Sequence, residues 1–289
     1  MDLPQLQALA AAVEAGTLDG AARLLHVTPS AVSQRLRALE TSTGQVLLVR
    51  SRPVVPTPAG AAVLRLARQV ELLVADTRTA LTGDEGTAGP PVLPLAVNAD
   101  SLATWFLPAV APLAADVQLD LRVADQTMTS ALLRDGSVMA AVTADPVAVP
   151  GCTATRLGAM TYRPVAARAV ADRWFTDGVT PAALRRAPVV VFDRTDDLQA
   201  HYLRRRAGDG PPPPTHHVPS SADYLAAVRW GMGWGMVPDL QTGPDDGLVE
   251  LDAGGAVEVE LWWQQWRLRS PSLDRVADAV RAAAAAALG

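Results

Sequence analysis

Ser30, Ser33, Gln34 and Arg37 recur at i, i+3, i+4 and i+7, the spacing of one helix face. Serine and glutamine can donate and accept at base edges, and arginine suits guanine or a phosphate. This stripe is therefore a candidate reader of a DNA major groove. Val32, Leu36 and Leu39 point the other way and are candidate core. Between Ala21 and Pro56 lie Arg23, Arg35, Arg37, Arg50 and Arg52 against Glu40 alone, a local charge of +4 in a chain of net charge −5. The whole chain gives no attraction to a polyanion, so phosphate binding must come from this patch. An ordinary solvated helix face competes with this reading for any isolated stripe. The preceding helix, the tight turn and the arginines favour the reader.

The elements that position these residues follow from local signals. Leu3, Leu6, Leu9 and Val13 have helical spacing and stop at Gly16. Thr17 can cap a second helix with small inward residues, Ala21 and Ala22, which let another helix cross closely. Thr28-Pro29, a cap followed by proline at the first helical position, opens the third helix, running to about Thr41. Gln45 to Pro56 reads as a hairpin or wing with Arg50 and Arg52 near its tip, set to touch phosphates. Thr57-Pro58 repeats the cap and starts a helix to about Leu81, roughly 36 Å long. Along it Val63, Leu66, Val70 and Leu73 have the a/d spacing of a two-chain seam, although packing within one chain would use the same residues.

The stretch TGDEGTAGPP at 82 to 91 is a turn-rich linker, and the pattern changes beyond it. Val92 to Val97, Val117 to Val123 and Val138 to Val142 read as strands, with helices at about 101 to 115 and 127 to 136 between them. Pro188 to Phe192, Trp234 to Val237 and Glu258 to Trp263 add strands around a helix at Ala222 to Gly231. The C-terminal part therefore reads as two α/β lobes. These patterns divide the chain at 1–60, 58–82, 83–91 and 92–289.

At 289 residues the chain has room for about two domains, and its 49% hydrophobic content argues against extensive disorder. The first residues carry Asp2 and Glu14 without a basic region, and no window approaches 18 uninterrupted apolar residues. Secretion and membrane spanning are not expected. The single cysteine, Cys152, excludes an internal disulfide and suits a cytoplasmic location. Catalysis would have to use Asp193, Asp196 and Asp197, or His201, His216 and His217. The aspartates sit where a turn also needs them, and the histidines lack zinc-like spacing, so neither an enzyme nor a metal site is expected. The glycines of GMGWG at 231 to 235 fit close backbone packing better than a dinucleotide loop.

The stretch TLDGAARLLHVTPSAVSQRLRALETSTGQVLLVRSRPVVPTPAG at 17 to 60 resembles the winged helix-turn-helix of LysR-type transcriptional regulators. Pro29 and Pro56 stand where many members have glutamine and leucine. No glutamine base contact is therefore carried to position 29. Further along, LAVNADSLATWFLP at 95 to 108, RLGAMTY at 156 to 162, APVVVFDRTDDLQ at 187 to 199, VPSSADYLAAVRWGMGWGMVPDLQ at 218 to 241 and WWQQWRLRSPSL at 262 to 273 resemble the ArgP/LysG branch. The resemblance implies a winged helix-turn-helix at 1–60, a linker and dimerisation helix at 58–82, a hinge at 83–91 and an effector-binding domain of periplasmic-binding-protein type at 92–289. Lobe I of that domain would take about 92–161 and 267–289, and lobe II about 162–266. It also implies a cytoplasmic homodimer or homotetramer that binds double-stranded promoter DNA. On binding lysine, arginine or histidine, such a protein would activate an amino-acid exporter gene, with RNA polymerase as a partner and no cofactor. Other readings are a regulator of this type answering another metabolite, and a cytoplasmic small-molecule-binding protein with no DNA role.

A pocket for a basic amino acid must supply donors for its α-carboxylate, acceptors for its α-ammonium and an anion for its side chain. Asn98, Asp100, Ser101 and Thr104 lie where a strand gives way to a helix, which suits the first need. Asp125, Thr143 and Asp193 fall at or just after strand ends, where α/β folds hold ligands. Asp125 and Asp193 are candidates for the cationic side chain, and Ser220 and Ser221 could complete the site. Helix caps and turns would use the same residue types.

Overall fold

A computed structural model of the chain describes residues 1–49, 51–82, 89–124, 126–244 and 246–289. Arg50, Asp125 and most of the expected hinge lie outside the described residues. The N-terminal elements are α1 (Leu3–Ala15), α2 (Leu18–Leu24), α3 (Pro29–Thr43), β1 (Leu48–Val49), β2 (Val55–Pro56) and α4 (Pro58–Thr82). Asp2 caps α1 in a capping box with Gln5, and the Thr17 and Thr28 side chains accept the amides of Gly20 and Ala31. Between α2 and α3 the chain turns through His26, at φ 52°. Leu6, Leu9, Ala21, Ala22, Val32, Leu36, Leu39, Leu47, Val54, Leu64 and Ala67 form one buried cluster. The inward face expected for α3 is therefore its buried face.

β1 and β2 pair antiparallel, Leu48 with Pro56 and Val49 with Val55, and make the wing. Three contacts pin it. The Leu47 amide donates to Glu40 Oε1 at 3.0 Å, the Thr57 amide to the Leu47 carbonyl at 2.9 Å, and Thr57 Oγ1 to the Val46 carbonyl at 2.7 Å. Glu40, the lone acid of the basic stretch, thus has a structural task.

The rest of the chain runs β3 (Val92–Val97), α5 (Ala99–Ser101), a π-helical turn at Leu102–Phe106, α6 (Leu107–Val110), β4 (Gln118–Val123), α7 (Gln126–Arg134) and β5 (Ala140–Thr143). It continues through β6 (Cys152–Ala167), α8 (Arg168–Trp174), α9 (Pro181–Arg186), β7 (Val189–Val191), α10 (Leu198–Ala207), β8 (Thr215–His217) and α11 (Ser221–Arg229). It closes with β9 (Gly235–Pro238), β10 (Leu248–Glu250), β11 (Val257–Trp266) and α12 (Pro271–Ala287).

Two compact units result, and β6 and β11 contribute residues to both. One holds Met1–Val97, Val110–Thr155 and Trp263–Ala279; the other holds Asn98–Ala109, Arg156–Trp262 and Val280–Gly289. In the first, β3 lies between parallel β4 and β5, and β5 is followed by the end of β11. Apolar and polar residues alternate from Val117 to Val123, but this does not become an in-out burial pattern. β4 ends the strand order, and its residues from Leu119 to Arg122 are all half-buried. In the second unit, β6 pairs antiparallel with β9 and β10, and β7 pairs parallel with β8. A Cβ on Gly233 or Gly235 would stand 2.5 Å from the Pro188 carbonyl oxygen or the Tyr224 hydroxyl. Close packing is thus the reason for that glycine-rich stretch.

On α4 the expected seam divides. Leu66 and Leu73, seven apart, are each 40% exposed, while Val63 and Val70 lean against the head's own core. The opposite face carries Arg68, buried near Glu14, Glu71, Asp120 and Arg122. Burial raises the Glu71 carboxyl from an ordinary 4.5 to about 7; Arg68 opposes the shift and Glu14 adds to it. A carboxyl raised on folding favours the folded state at low pH, and that contribution is lost as pH rises from about 4.5 through 7, at up to about 1.4 kcal/mol per unit. Urea unfolding at pH 5 and pH 8 is expected to show a smaller loss of stability in Glu71→Gln than in the parent. An equal loss in both contradicts the assignment.

Candidate functional site

The groove-reading surface is built on α3. Ser30, Gln34 and Arg37 are exposed and Ser33 is half-buried. The cap at Thr28 and the apolar row beneath fix their direction. Arg35 lies roughly 140° round the helix from Ser30 at 100° per residue, beside the buried row and half-exposed. It is therefore not part of the stripe. Arg52 is exposed on the wing, and Arg23 is exposed on α2.

A second polar constellation lies wholly within the other unit. Asp100 is the middle residue of α5. Tyr162 on β6 donates its hydroxyl to Asp100 Oδ2 at 2.8 Å, and Ser221, the first residue of α11, donates to Oδ1 at 2.6 Å. Gln241 Nε2 in turn donates to Ser221 Oγ at 2.6 Å. Tyr162 and Ser221 are buried. Each carboxylate oxygen is thus aimed by a hydroxyl, and each retains capacity for a further donor.

Asp196 joins this group electrostatically. Burial raises its carboxyl above the usual range, the amides of Leu198 and Phe192 oppose the shift, and the carboxylates of Asp100 and Asp193 reinforce it. Burial, followed by Asp100 and its hydrogen bond, holds the Tyr162 hydroxyl well above its ordinary pKa, so it remains a donor. Among the described residues neither Asp100 nor Asp196 has an ion-pair partner. Arg163, next to Tyr162, is committed to Asp239 and Glu250 at 2.9 and 3.0 Å. The buried Ser101 Oγ, Asn98 Oδ1 and Gln241 Oε1 have no hydrogen-bond partner among the described residues. This chemistry suits a ligand that brings a cation together with donors and acceptors.

Of the residues expected from sequence, Asp100 and Ser221 meet directly, with Asn98 and Ser101 beside Asp100 in the chain. Thr104 turns its hydroxyl onto the Asp100 carbonyl at 2.6 Å. Ser220 caps α11 through the Asp223 amide. Asp193 Oδ1 accepts from the Thr195 amide and hydroxyl and from the Asp196 amide, and so shapes the turn carrying Asp196. Thr143 belongs to the other unit, where its hydroxyl accepts the Asp145 amide at 3.2 Å. Tyr162, Asp196 and Gln241 are not among the site residues expected from sequence, yet they gather around Asp100 and Ser221. Their signal was present in RLGAMTY, in the aspartate cluster at 193 to 197, and in PDLQ at 238 to 241. No group of three or more His, Cys, Asp or Glu among the described residues could hold a metal ion.

Comparison with known proteins adds an independent result. Residues 3–61 match the bacterial regulatory helix-turn-helix protein, lysR family, and residues 92–285 match the LysR substrate binding domain. The transcriptional regulator LysG of Mycobacterium tuberculosis is 46% identical over 286 residues, 98% of this chain and 94% of the relative. The crystal structure of ArgP from Mycobacterium tuberculosis superposes with a TM-score of 0.86 at 44% identity, covering 98% of this chain and 97% of that one. Full-length LysG from Corynebacterium glutamicum, solved with bound effector Arg, gives 0.77 at 36% identity, with 98% of both chains covered. The chain belongs to the LysR family: a DNA-binding transcriptional regulator, not an enzyme, with a helix-turn-helix head and a two-lobed substrate-binding domain of periplasmic-binding-protein type.

Proposed function

We propose that this regulator senses a basic amino acid, lysine or arginine first and histidine by the same chemistry, and controls transcription of an amino-acid exporter gene. The carrying observation is the Asp100 carboxylate, aimed by Tyr162 and Ser221 beside Asp196 and without a protein counter-ion among the described residues. A bound ammonium or guanidinium satisfies it. Similarity to regulators named LysG and ArgP, and to a LysG solved with arginine, supports the same ligand class. Asn98, Ser101 and Gln241 are assigned to the ligand's remaining polar groups. Asp125 stays a candidate for its side chain. Asp193, Thr104 and Ser220 shape turns and helix starts of the same unit, and Thr143 shapes a turn of the other.

The head at 1–60 reads the duplex, with Ser30, Ser33, Gln34 and Arg37 at base edges and Arg52 and Arg50 on phosphates; Arg35 supports the same surface from its flank. Leu66 and Leu73, with Val63 and Val70 at the margin, form the seam of a homodimer on the 58–82 helix, and two dimers make a tetramer. Residues 83–91 link that helix to the effector domain at 92–289, with lobe I about 92–161 and 267–289 and lobe II about 162–266. The protein holds promoter DNA in the cytoplasm with or without ligand, and ligand binding changes its DNA contacts so that RNA polymerase is engaged. No helix of the described residues is long and apolar enough to cross a membrane.

Calorimetry with arginine, lysine, histidine and the uncharged lysine analogue norleucine tests the ligand class. Binding of the first two and not of norleucine is expected; equal binding of norleucine contradicts the proposal. For the head, Arg52→Ala is expected to weaken all duplexes alike and lower the slope of log affinity against log salt by about 1. Gln34→Ala is expected to cost about 1–3 kcal/mol on the operator and far less on random duplex. Fluorescence anisotropy at several salt concentrations measures both.

A further inference from the structure

A face of α4 roughly 100° round from Leu66 and Leu73 carries Arg65, Arg68, Leu72 and Asp76, spaced by three and four. Polar residues at such spacing ordinarily face solvent. Here they attach the helix to the effector-domain residues of its own compact unit.

Arg65 reaches the end of α7. Its Nη2 donates to the Arg134 carbonyl at 2.6 Å and the Leu133 carbonyl at 3.4 Å, and Nη1 donates to the Pro150 carbonyl at 3.0 Å. The last carbonyls of a helix lack intrahelical partners, and a cation is favoured there. The approach is close enough to require glycine. Gly136 has φ +82°, and a Cβ on it would lie 2.9 Å from the Arg65 backbone nitrogen and 3.0 Å from its Cα.

Asp76 makes the second attachment. Its two carboxylate oxygens accept the hydroxyls of Ser270 and Ser272, each at 2.6 Å, and both serines are buried. Ser270 Oγ also accepts the Leu273 amide at 3.2 Å, so the residue that caps α12 is the one held by α4. Arg65 and Asp76 are eleven residues apart, about 16 Å along the helix. Two anchors at that separation fix the direction of the helix as well as its position. Independently, Met1–Val97 clusters into one compact unit with Val110–Thr155 and Trp263–Ala279.

We propose that Arg65 and Asp76 are positioning residues of a two-point clasp, which makes the head, α4 and residues 110–155 and 263–279 one mechanical body. Occupancy of the effector site reaches the DNA-reading head through this clasp rather than through the connection at 83–91. The clasp stands on its own geometry; its signalling role rests on the ligand assignment proposed above.

The test uses the full-length protein, with Arg65→Ala/Asp76→Ala and, separately, Ser270→Ala/Ser272→Ala, which leaves α4 untouched and carries the test should the first variant fail to fold. Hydrogen exchange of peptides within 58–82 is expected to rise at least tenfold in either variant, with α11 unchanged. Unaltered exchange in both overturns the clasp. The second readout is the ratio of duplex dissociation constants with and without saturating arginine. It is expected to fall at least fivefold towards 1, while arginine affinity and arginine-free duplex affinity each stay within about twofold. A parental ratio in a variant whose α4 exchanges faster overturns the signalling role. Absence of any arginine effect in the parent counts against the ligand assignment and leaves the exchange result to judge the clasp.

Discussion

Asp100→Ala is expected to leave the protein folded and to lower arginine affinity by a factor on the order of 10² to 10³. Removing one partner of a desolvated, hydrogen-bonded charge pair typically costs about 2–5 kcal/mol, because the other charge is left buried and unpaired. The same change leaves the donors Tyr162 and Ser221 without their acceptor, which adds a smaller stability cost of about 1–3 kcal/mol for each group that water cannot reach. Tyr162→Phe keeps the carboxylate and removes one of the hydroxyls that aim it. Its expected effect is therefore nearer tenfold. Calorimetry reads both, with a thermal melt to establish folding. Undiminished affinity in Asp100→Ala would remove this cluster from ligand binding.

Gly60→Ala is expected to abolish duplex binding while arginine binding persists. A Cβ at position 60 would fall on the carbonyl oxygen of Leu47, far inside contact distance. That carbonyl is backbone and already accepts the Thr57 amide, so no flexible side chain can move aside. Overpacking of an ordinary core costs about 1–3 kcal/mol, and a backbone clash belongs at or above the top of that range. Displacement of the wing carries Arg52 away from the surface that α3 presents. Anisotropy on an operator duplex, together with urea unfolding, measures the loss. Parental binding with a parental midpoint would mean that wing and helix do not meet as described.

The contrast between Gly60 and α3 shows which features the sequence could carry. Val32, Leu36 and Leu39 against Ser30, Ser33, Gln34 and Arg37 is a pattern within one helix, and helical periodicity writes it directly into neighbouring residues. The demand on Gly60 comes from a carbonyl thirteen positions earlier, and nothing near residue 60 records it. β6 escaped notice for a related reason. Its alternation is confined to a short stretch around Met160 to Arg163 between Gly158 and Pro164, and it is held by long-range pairing with β9 and β10.

The candidate site is legible in part. Asp100 and Ser221 carry local signals, a strand end and a helix start. Their meeting across 121 positions does not show in sequence. Asp193 and Asp196 are alike in local context, and only burial and hydrogen bonding separate a turn-forming carboxylate from one beside Asp100. The face of α4 bearing Arg65 and Asp76 gives no local sign of attachment, since charged residues at helical spacing read as solvated until their partners at 133–150 and 270–272 are known.

The most direct measurement is nuclease footprinting of the purified protein on the promoter of the exporter gene proposed as its target. Protection without ligand, with a boundary that shifts on addition of arginine or lysine and stays in place with norleucine, is the expected result. A duplex left unprotected, or a footprint indifferent to cationic amino acids, would contradict the account.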